Sequence, residues 1–485
     1  MRFDERMSDL EALMWGLEQV SPSLQSVMTM VGVLDRPADP QRVLSRLEST
    51  CSDVPRLRER VEPGALPTVP PRWVEAPGFD VARHLETITL DGGGILEGGG
   101  TLEGGNSVRG GDGFDALSEA VEGVIDEPFP AGRPPWQVTL LDGLDCGRGG
   151  FVARLHHSYT DGQGAIRIAL GLFDEAEEAA PGETAASTDP RGQHDARSEH
   201  VGRPPPAGGL LEDVIHEVDA AVSVARKVMP WMARSLRGVM ADPGGAASRA
   251  AELMSSVGRI ARDAGQPGSP LLTPRSGETR VASVSIGLEE MRSAGRRHGG
   301  TINDVFLAGT LAGLSAYHSK MGAPAPSVKL GIPVSTRTGG DSMHNQLQGM
   351  LVRGPMNLYD WGELVRLMHE VVAVTRAQPW LGFVDGAAAA ANRIPFLSRN
   401  LLAEAVSRTE VLVSNLPGPP DALHFGGSTV ESLVPFGPRA GSALNLTLLS
   451  YAGAAHIGIN ADSAAITDVG MLADCLRSGF ADVLA

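Results

Sequence analysis

The chain has 485 residues and a formal net charge of −17, with 42% hydrophobic residues. That length predicts two domains, and that apolar content supports packed cores. The acidic balance excludes a phosphate-binding surface of the kind nucleic acid needs, and three widely spaced cysteines (Cys51, Cys146, Cys475) form neither a disulfide framework nor a zinc knuckle.

The N-terminal stretch mixes both charges with apolar residues, lacks a signal-peptide core, and is followed by no apolar run long enough to cross a bilayer. A reducing, cytoplasmic setting is therefore expected. Ser8 and Glu11 have capping-box spacing ahead of a helix striped with Leu10, Leu13, Met14 and Leu17. Residues 26–34 predict a strand, and Asp39-Pro40 predicts a capped helix carrying Val43, Leu44 and Leu47 into Pro55-Arg56-Leu57-Arg58. Residues 91–113 are glycine-rich but offer neither the lysine of a phosphate loop nor a dinucleotide-binding spacing, so a flexible surface insertion is expected. A helix over Leu117 to Val124 and a strand over Gln137 to Leu141 follow.

The run Phe151-Val152-Ala153-Arg154-Leu155 predicts a strand that ends in His156-His157-Ser158-Tyr159-Thr160-Asp161-Gly162. Alternation places His157 on the face of Leu155, Ala153 and Phe151, and His156 on the face of Arg154 and Val152. Two adjacent strand histidines on opposite faces cannot share one metal ion. Ile166, Ala169, Leu170 and Phe173 then recur at helical spacing. Taken alone, His157 is either a structural strand-end histidine or a base at the mouth of a strand, and Asp161 either a helix cap or an acidic partner.

Residues 175–207 predict a linker, 210–240 and 246–264 a helical connector, and 265–277 a Pro/Gly boundary. Within the connector, residues 224–240 carry Arg226, Lys227, Arg234 and Arg237, no acid, and Trp231 among apolar residues. That composition suits either a lipid interface or a packed domain joint. The second half predicts a strand from Val281 to Ile286, a short helix, and a long helix behind Thr301-Ile302-Asn303-Asp304-Val305. Further strands are expected at 328–334, 347–356, 410–413, 443–451 and 454–460, with helices at 360–377 and 468–484. Adjacent strands with interleaved helices indicate an α/β class with mixed sheets.

Several blocks occur in order: SDLEALMW, PRLR, PPW, HHSYTDG, TINDV, PVSTR, SNLPGP and SYAG…HIGINAD. Together they resemble the bacterial wax ester synthase / diacylglycerol acyltransferase family of the HHxxxDG acyltransferase superfamily. The resemblance implies two chloramphenicol-acetyltransferase-like domains (residues 1–180 and 276–485) joined by the helical connector 181–275, with the site in a channel between them. It implies transfer of a fatty acyl group from acyl-CoA, as substrate rather than cofactor, to a long-chain alcohol or diacylglycerol, with peripheral contact to a membrane or lipid droplet. His157 is then the general base, and Asp161 pairs with Arg58 to hold the loop. His156 and Gly162 support the motif; Gly162 is expected to supply a conformation closed to residues with a Cβ. Asn303 and Asp304 either shape the channel or cap the helix behind them. Pro135 where the family has leucine, and the bulkier Ser158-Tyr159-Thr160, depart from the pattern and bear on chain-length preference. Rival functions are an HHxxxDG acyltransferase with another alcohol or an amine acceptor, and a weakly active lipid-binding paralogue.

Overall fold

The computed structural model describes residues 6–64, 69–91, 95–96, 117–160, 162–174, 268–335, 347–376 and 409–485. Asp161, the connector over 181–267, its segment 224–240 and most of the glycine-rich tract lie outside these residues. No helix among the described residues is long and apolar enough to cross a membrane.

Local chemistry starts the helices where the sequence predicts. Helix α1 (Asp9–Glu18) opens on a complete capping box between Ser8 and Glu11, and α2 (Pro40–Asp53) on the Asp39 carboxylate, which accepts from Gln41 N. The first sheet holds seven strands: β1 (Val27–Leu34), β4 (Leu85–Asp91), β5 (Ile95–Leu96), β6 (Trp136–Asp142), β7 (Gly149–His156), β12 (His424–Phe425) and β13 (Ser428–Phe436). Their order is β12-β13-β1-β7-β6-β4-β5. The second sheet runs β10 (Leu347–Pro355), β9 (Ser327–Ser335), β11 (Val411–Leu416), β14 (Leu444–Tyr451), β15 (Ala454–Asp462), β8 (Thr279–Gly287). Both are mixed, since β4 is parallel to β6 and β11 is parallel to β9 and β14. Two short strands, β2 (Glu59–Glu62) and β3 (Arg72–Glu75), pair separately.

The two halves share a sheet. Strand β13 belongs to the C-terminal half of the sequence, yet it lies antiparallel to β1, with Thr29 opposite Phe436 and Val31 opposite Val434. This strand was not expected from sequence, because Glu431 and Pro435 interrupt its apolar run. The structure shows why proline is tolerated. Strand β12 pairs only with the start of β13, so among the described residues no strand continues the hydrogen-bond ladder beyond Pro435.

The C-terminal half packs around one helix, α6 (Ile302–Lys320), which is buried on nearly every side, as a helix apolar all round must be. It crosses the last helix, α8 (Val469–Leu484), at two glycines. A Cβ on Gly309 would stand 2.2 Å from the Phe480 ring, and one on Gly313 2.6 Å from Leu476 Cα. A shorter helix, α5 (Leu288–His298), and α7 (Trp361–Arg376) complete the layer.

A second tie joins the halves at a sheet edge. Helix α3 (Ser118–Ile125) and the residue after it present carboxylates to the outer edge of β8: Asp126 accepts from Thr279 N (3.0 Å) and Oγ1 (2.7 Å), and Glu122 from Val281 N (2.8 Å). Two edge donors are thus satisfied without another strand. Burial pushes the Glu122 carboxyl above its ordinary range.

Next to this edge, Asp462 is fully buried, 2.7 Å from Arg439, and accepts from Ser276 N and Gly277 N. Burial pushes its carboxyl up, but those donors and Arg439 outweigh burial and hold it below the usual carboxylate range. With the folded value depressed, its stabilisation is complete above the unfolded value and is lost as pH falls through the folded one. Asp462→Asn should cost about 3–5 kcal/mol in urea unfolding at pH 7. It should also flatten the acid limb of stability against pH. A variant as stable as the parent at pH 7 would show that the pair contributes nothing.

Candidate active site

Strand β7 ends at His156, and the chain turns through Ser158 and Tyr159 before α4 (Gly162–Leu170) begins. The turn is held from several sides. His157 N donates to Ser26 O (2.7 Å), at the foot of β1, and His156 N donates to Pro135 O (3.0 Å). Tyr159 is buried, donates its hydroxyl to Glu59 O (3.2 Å), and packs on Trp73. A Cβ on Gly164 would fall 1.8 Å from Thr160 Oγ1. None of Ser158, Tyr159 and Thr160 is on the cavity wall described below, so the departures there from the family pattern shape the loop and not the cavity.

The two histidines have different surroundings. His156 has no exposed surface; its Nε2 lies 2.9 Å from Glu18 Oε2 and its Nδ1 2.7 Å from Ser158 Oγ. Ser158 N also donates to Nδ1 (3.1 Å), which places the ring proton on Nε2 and makes Glu18 its acceptor. Trp15 meets the ring edge-on at 4.8 Å, so His156 also has an apolar neighbour, which strand alternation alone does not provide. Burial pushes the Glu18 carboxyl up, but the His156 hydrogen bond and Ser26 N outweigh this and leave it lowered. Trp15 falls within the SDLEALMW block, whereas nothing in the sequence marks Glu18, 138 positions from its partner.

His157 faces a cavity of about 990 Å³ between the halves. The N-terminal half contributes Met14, Met30 and Ala153 among other apolar side chains; the C-terminal half contributes Asn303, Ile332 and Asn415. Among the described lining residues, His157 and Arg154 are the only ionisable ones. Arg154 is committed elsewhere, donating to Glu127 O (2.6 Å) and Gln137 Oε1 (3.3 Å). His157 is therefore the one described side chain on this wall of a type suited to general-base work. No cysteine lines the cavity, and burial pushes the Cys51 thiol up to about 12.

The remaining expected residues divide. Gly162 lines the cavity as the first residue of α4, and a Cβ there would stand 3.0 Å from Leu416 Cδ2. Asn303 lines the cavity, whereas Asp304 caps α6, accepting from Thr301 N and Oγ1 (2.8 Å each). The two alternatives for this pair thus fall one to each residue. Arg58 is half-exposed; it donates to Glu75 (3.3 Å) and leans over Phe79. The buried arginine of the PRLR turn is Arg56, 2.7 Å from Glu59 and stacked over Trp73. Asp161, the partner the resemblance implies for Arg58, lies outside the described residues.

Known proteins resemble this chain over nearly its whole length. Residues 110–306 match the wax ester synthase/diacylglycerol acyltransferase catalytic domain, and residues 343–483 the corresponding C-terminal domain. A Mycobacterium tuberculosis protein named as a diacylglycerol O-acyltransferase is 26% identical over 489 residues, covering 100% of this chain and 92% of that one. A second M. tuberculosis protein so named, tgs1, is 26% identical and covers 99% of this chain and 96% of its own length. Among solved structures, the wax ester synthase/diacylglycerol acyltransferase from Marinobacter aquaeolei VT8 shares the fold with a TM-score of 0.60 at 19% identity, covering 99% of this chain and 98% of that one. A starter condensation domain of rhizomide synthetase, solved with C8-CoA and Leu-SNAC, gives 0.55 at 16%, covering 99% and 93%.

The hold on His156 is measurable. His156→Ala leaves Glu18 and Ser158 without their shared partner and should lower unfolding free energy by about 1–3 kcal/mol. A His156→Ala variant as stable as the parent would show that this network contributes nothing.

Proposed function

Because the chain belongs to the wax ester synthase / diacylglycerol acyltransferase family, we propose that it transfers a fatty acyl group from acyl-CoA to the hydroxyl of a long-chain alcohol or a diacylglycerol. The product is a wax ester or a triacylglycerol. The observation that carries this is His157, the one imidazole among the described residues on the wall of a large and mostly apolar cavity. Each methylene of a chain buried there contributes about 0.8 kcal/mol, roughly fourfold in affinity, so such a wall favours long chains over short ones. A neighbour of the same fold holds C8-CoA, which supports a thioester donor.

In this mechanism neutral His157 accepts the proton of the acceptor hydroxyl as its oxygen bonds to the thioester carbon. The carbonyl oxygen takes the negative charge of the tetrahedral intermediate. Collapse restores the carbonyl and breaks the carbon–sulfur bond, and His157 returns its proton to the departing CoA sulfur. No covalent enzyme intermediate is required. Asn303 brings a neutral amide from the other half of the chain to the same cavity, where it can hydrogen-bond a substrate oxygen.

Purified protein given palmitoyl-CoA with hexadecanol or with dipalmitoylglycerol should form the corresponding ester. His157→Ala should lower turnover by about 10²–10⁴-fold while acyl-CoA binding survives. A variant keeping most of its turnover would remove His157 from the chemistry. Product formed only with amine acceptors would replace O-acylation by N-acylation.

A further inference from the structure

We infer that His369 is a positioning residue for the acyl-transfer site, acting through Asp304 on Asn303. His369 lies on α7, and its Nδ1 stands 2.8 Å from Asp304 Oδ2. That oxygen also accepts from Thr301 N and Oγ1. Two of its three donors therefore belong to the first turn of α6 itself, and the third, His369, is on a different helix. Asp304 is 2% exposed, so this carboxylate depends on protein donors rather than water. Carboxylates accept and do not donate when ionised, so His369 is the donor and its ring proton is on Nδ1.

The link to the cavity is covalent. Asn303 precedes Asp304 at the start of α6, about 100° further round the helix, and is the one α6 residue on the cavity wall among the described residues. A shift of Asp304 therefore moves the Asn303 amide with it. The start of α6 is also pressed against α7, since a Cβ on Gly300 would stand 2.8 Å from Val365 Cγ1. His369 itself does not line the cavity and is 48% exposed at its side chain, so it touches no reacting atom, and trimming it opens no core void. Its effect on the reaction would be to hold Asn303 where it meets substrate.

The inference rests on the proposed acyl transfer, and the test separates the two. The full chain is assayed with palmitoyl-CoA and hexadecanol as parent, His369→Ala, His369→Asn, Asn303→Ala and the double variant His369→Ala/Asn303→Ala. Thermal melting runs in parallel. His369→Ala should lower kcat on the order of 10–100-fold, the scale of a displaced positioning group, with KM for palmitoyl-CoA changed by less than about threefold. His369→Asn, whose amide nitrogen occupies the place of Nδ1, should recover most of that loss. In the Asn303→Ala background, His369→Ala should add almost nothing, because the two act in series. Full additivity, no recovery with asparagine, or a kcat loss that merely tracks loss of folded protein would overturn the role of His369. A parent chain without esterification would overturn the acyltransferase activity and this role together.

Discussion

The site depends on β1 having a neighbour from each half of the chain. On one side β1 pairs with β7 from Val27 opposite His156 to Leu34 opposite Gly149. On the other it pairs with β13, from Thr29 opposite Phe436 to Leu34 opposite Val430. The strand that carries the histidines is thereby held in register with the strand that brings the C-terminal half. A one-residue slip on either side would turn every side chain of that strand to the opposite face. Because a cavity between two separately folded halves would change with every hinge motion, the shared ladder and the α3 carboxylates on β8 are what keep its walls a fixed distance apart.

Several polar groups near the cavity are held by partners away from it. His156 is tied to Glu18 and Ser158, Arg154 to Glu127 and Gln137, and Asp304 to Thr301 and His369. In a chain of net charge −17, no carboxylate is among the described residues of the cavity wall. No described carboxylate on that wall therefore opposes the negative charge that develops during acyl transfer, an opposition that in a medium of low dielectric would raise the barrier steeply.

Much of this was legible in the sequence because it is local. The capping box at Ser8, the strand into His156, the helix behind Asn303 and the closing helix all follow from residues within a few positions of one another. What escaped is non-local or ambiguous at short range. Strand β13 hides behind Pro435, whose cost depends on whether a further strand flanks it. Glu18 and His369 are ordinary helix residues until the fold sets them against His156 and Asp304. Arg56 and Arg58 are two positions apart in a 3₁₀ turn, where they point to different sides, and sequence alone does not say which side is the interior. The approach of Leu416 to Gly162 is likewise non-local and leaves no trace in the residues around it.

The shared sheet also sets a timetable for biosynthesis. Asp35, at the end of β1, bonds Thr429 across 394 positions of sequence. At about 5–20 residues per second, a ribosome takes roughly 20–80 s to make that stretch. For that interval the first half has its histidine strand and its motif loop but one unpaired edge, on β1, in the middle of what will be its sheet. An open apolar edge held for tens of seconds is a template for other chains. The nascent protein thus needs either a chaperone on that edge or a slow-forming first sheet that closes only when its last strands arrive. The cavity between the halves, built from both, exists only after nearly the whole chain has left the tunnel.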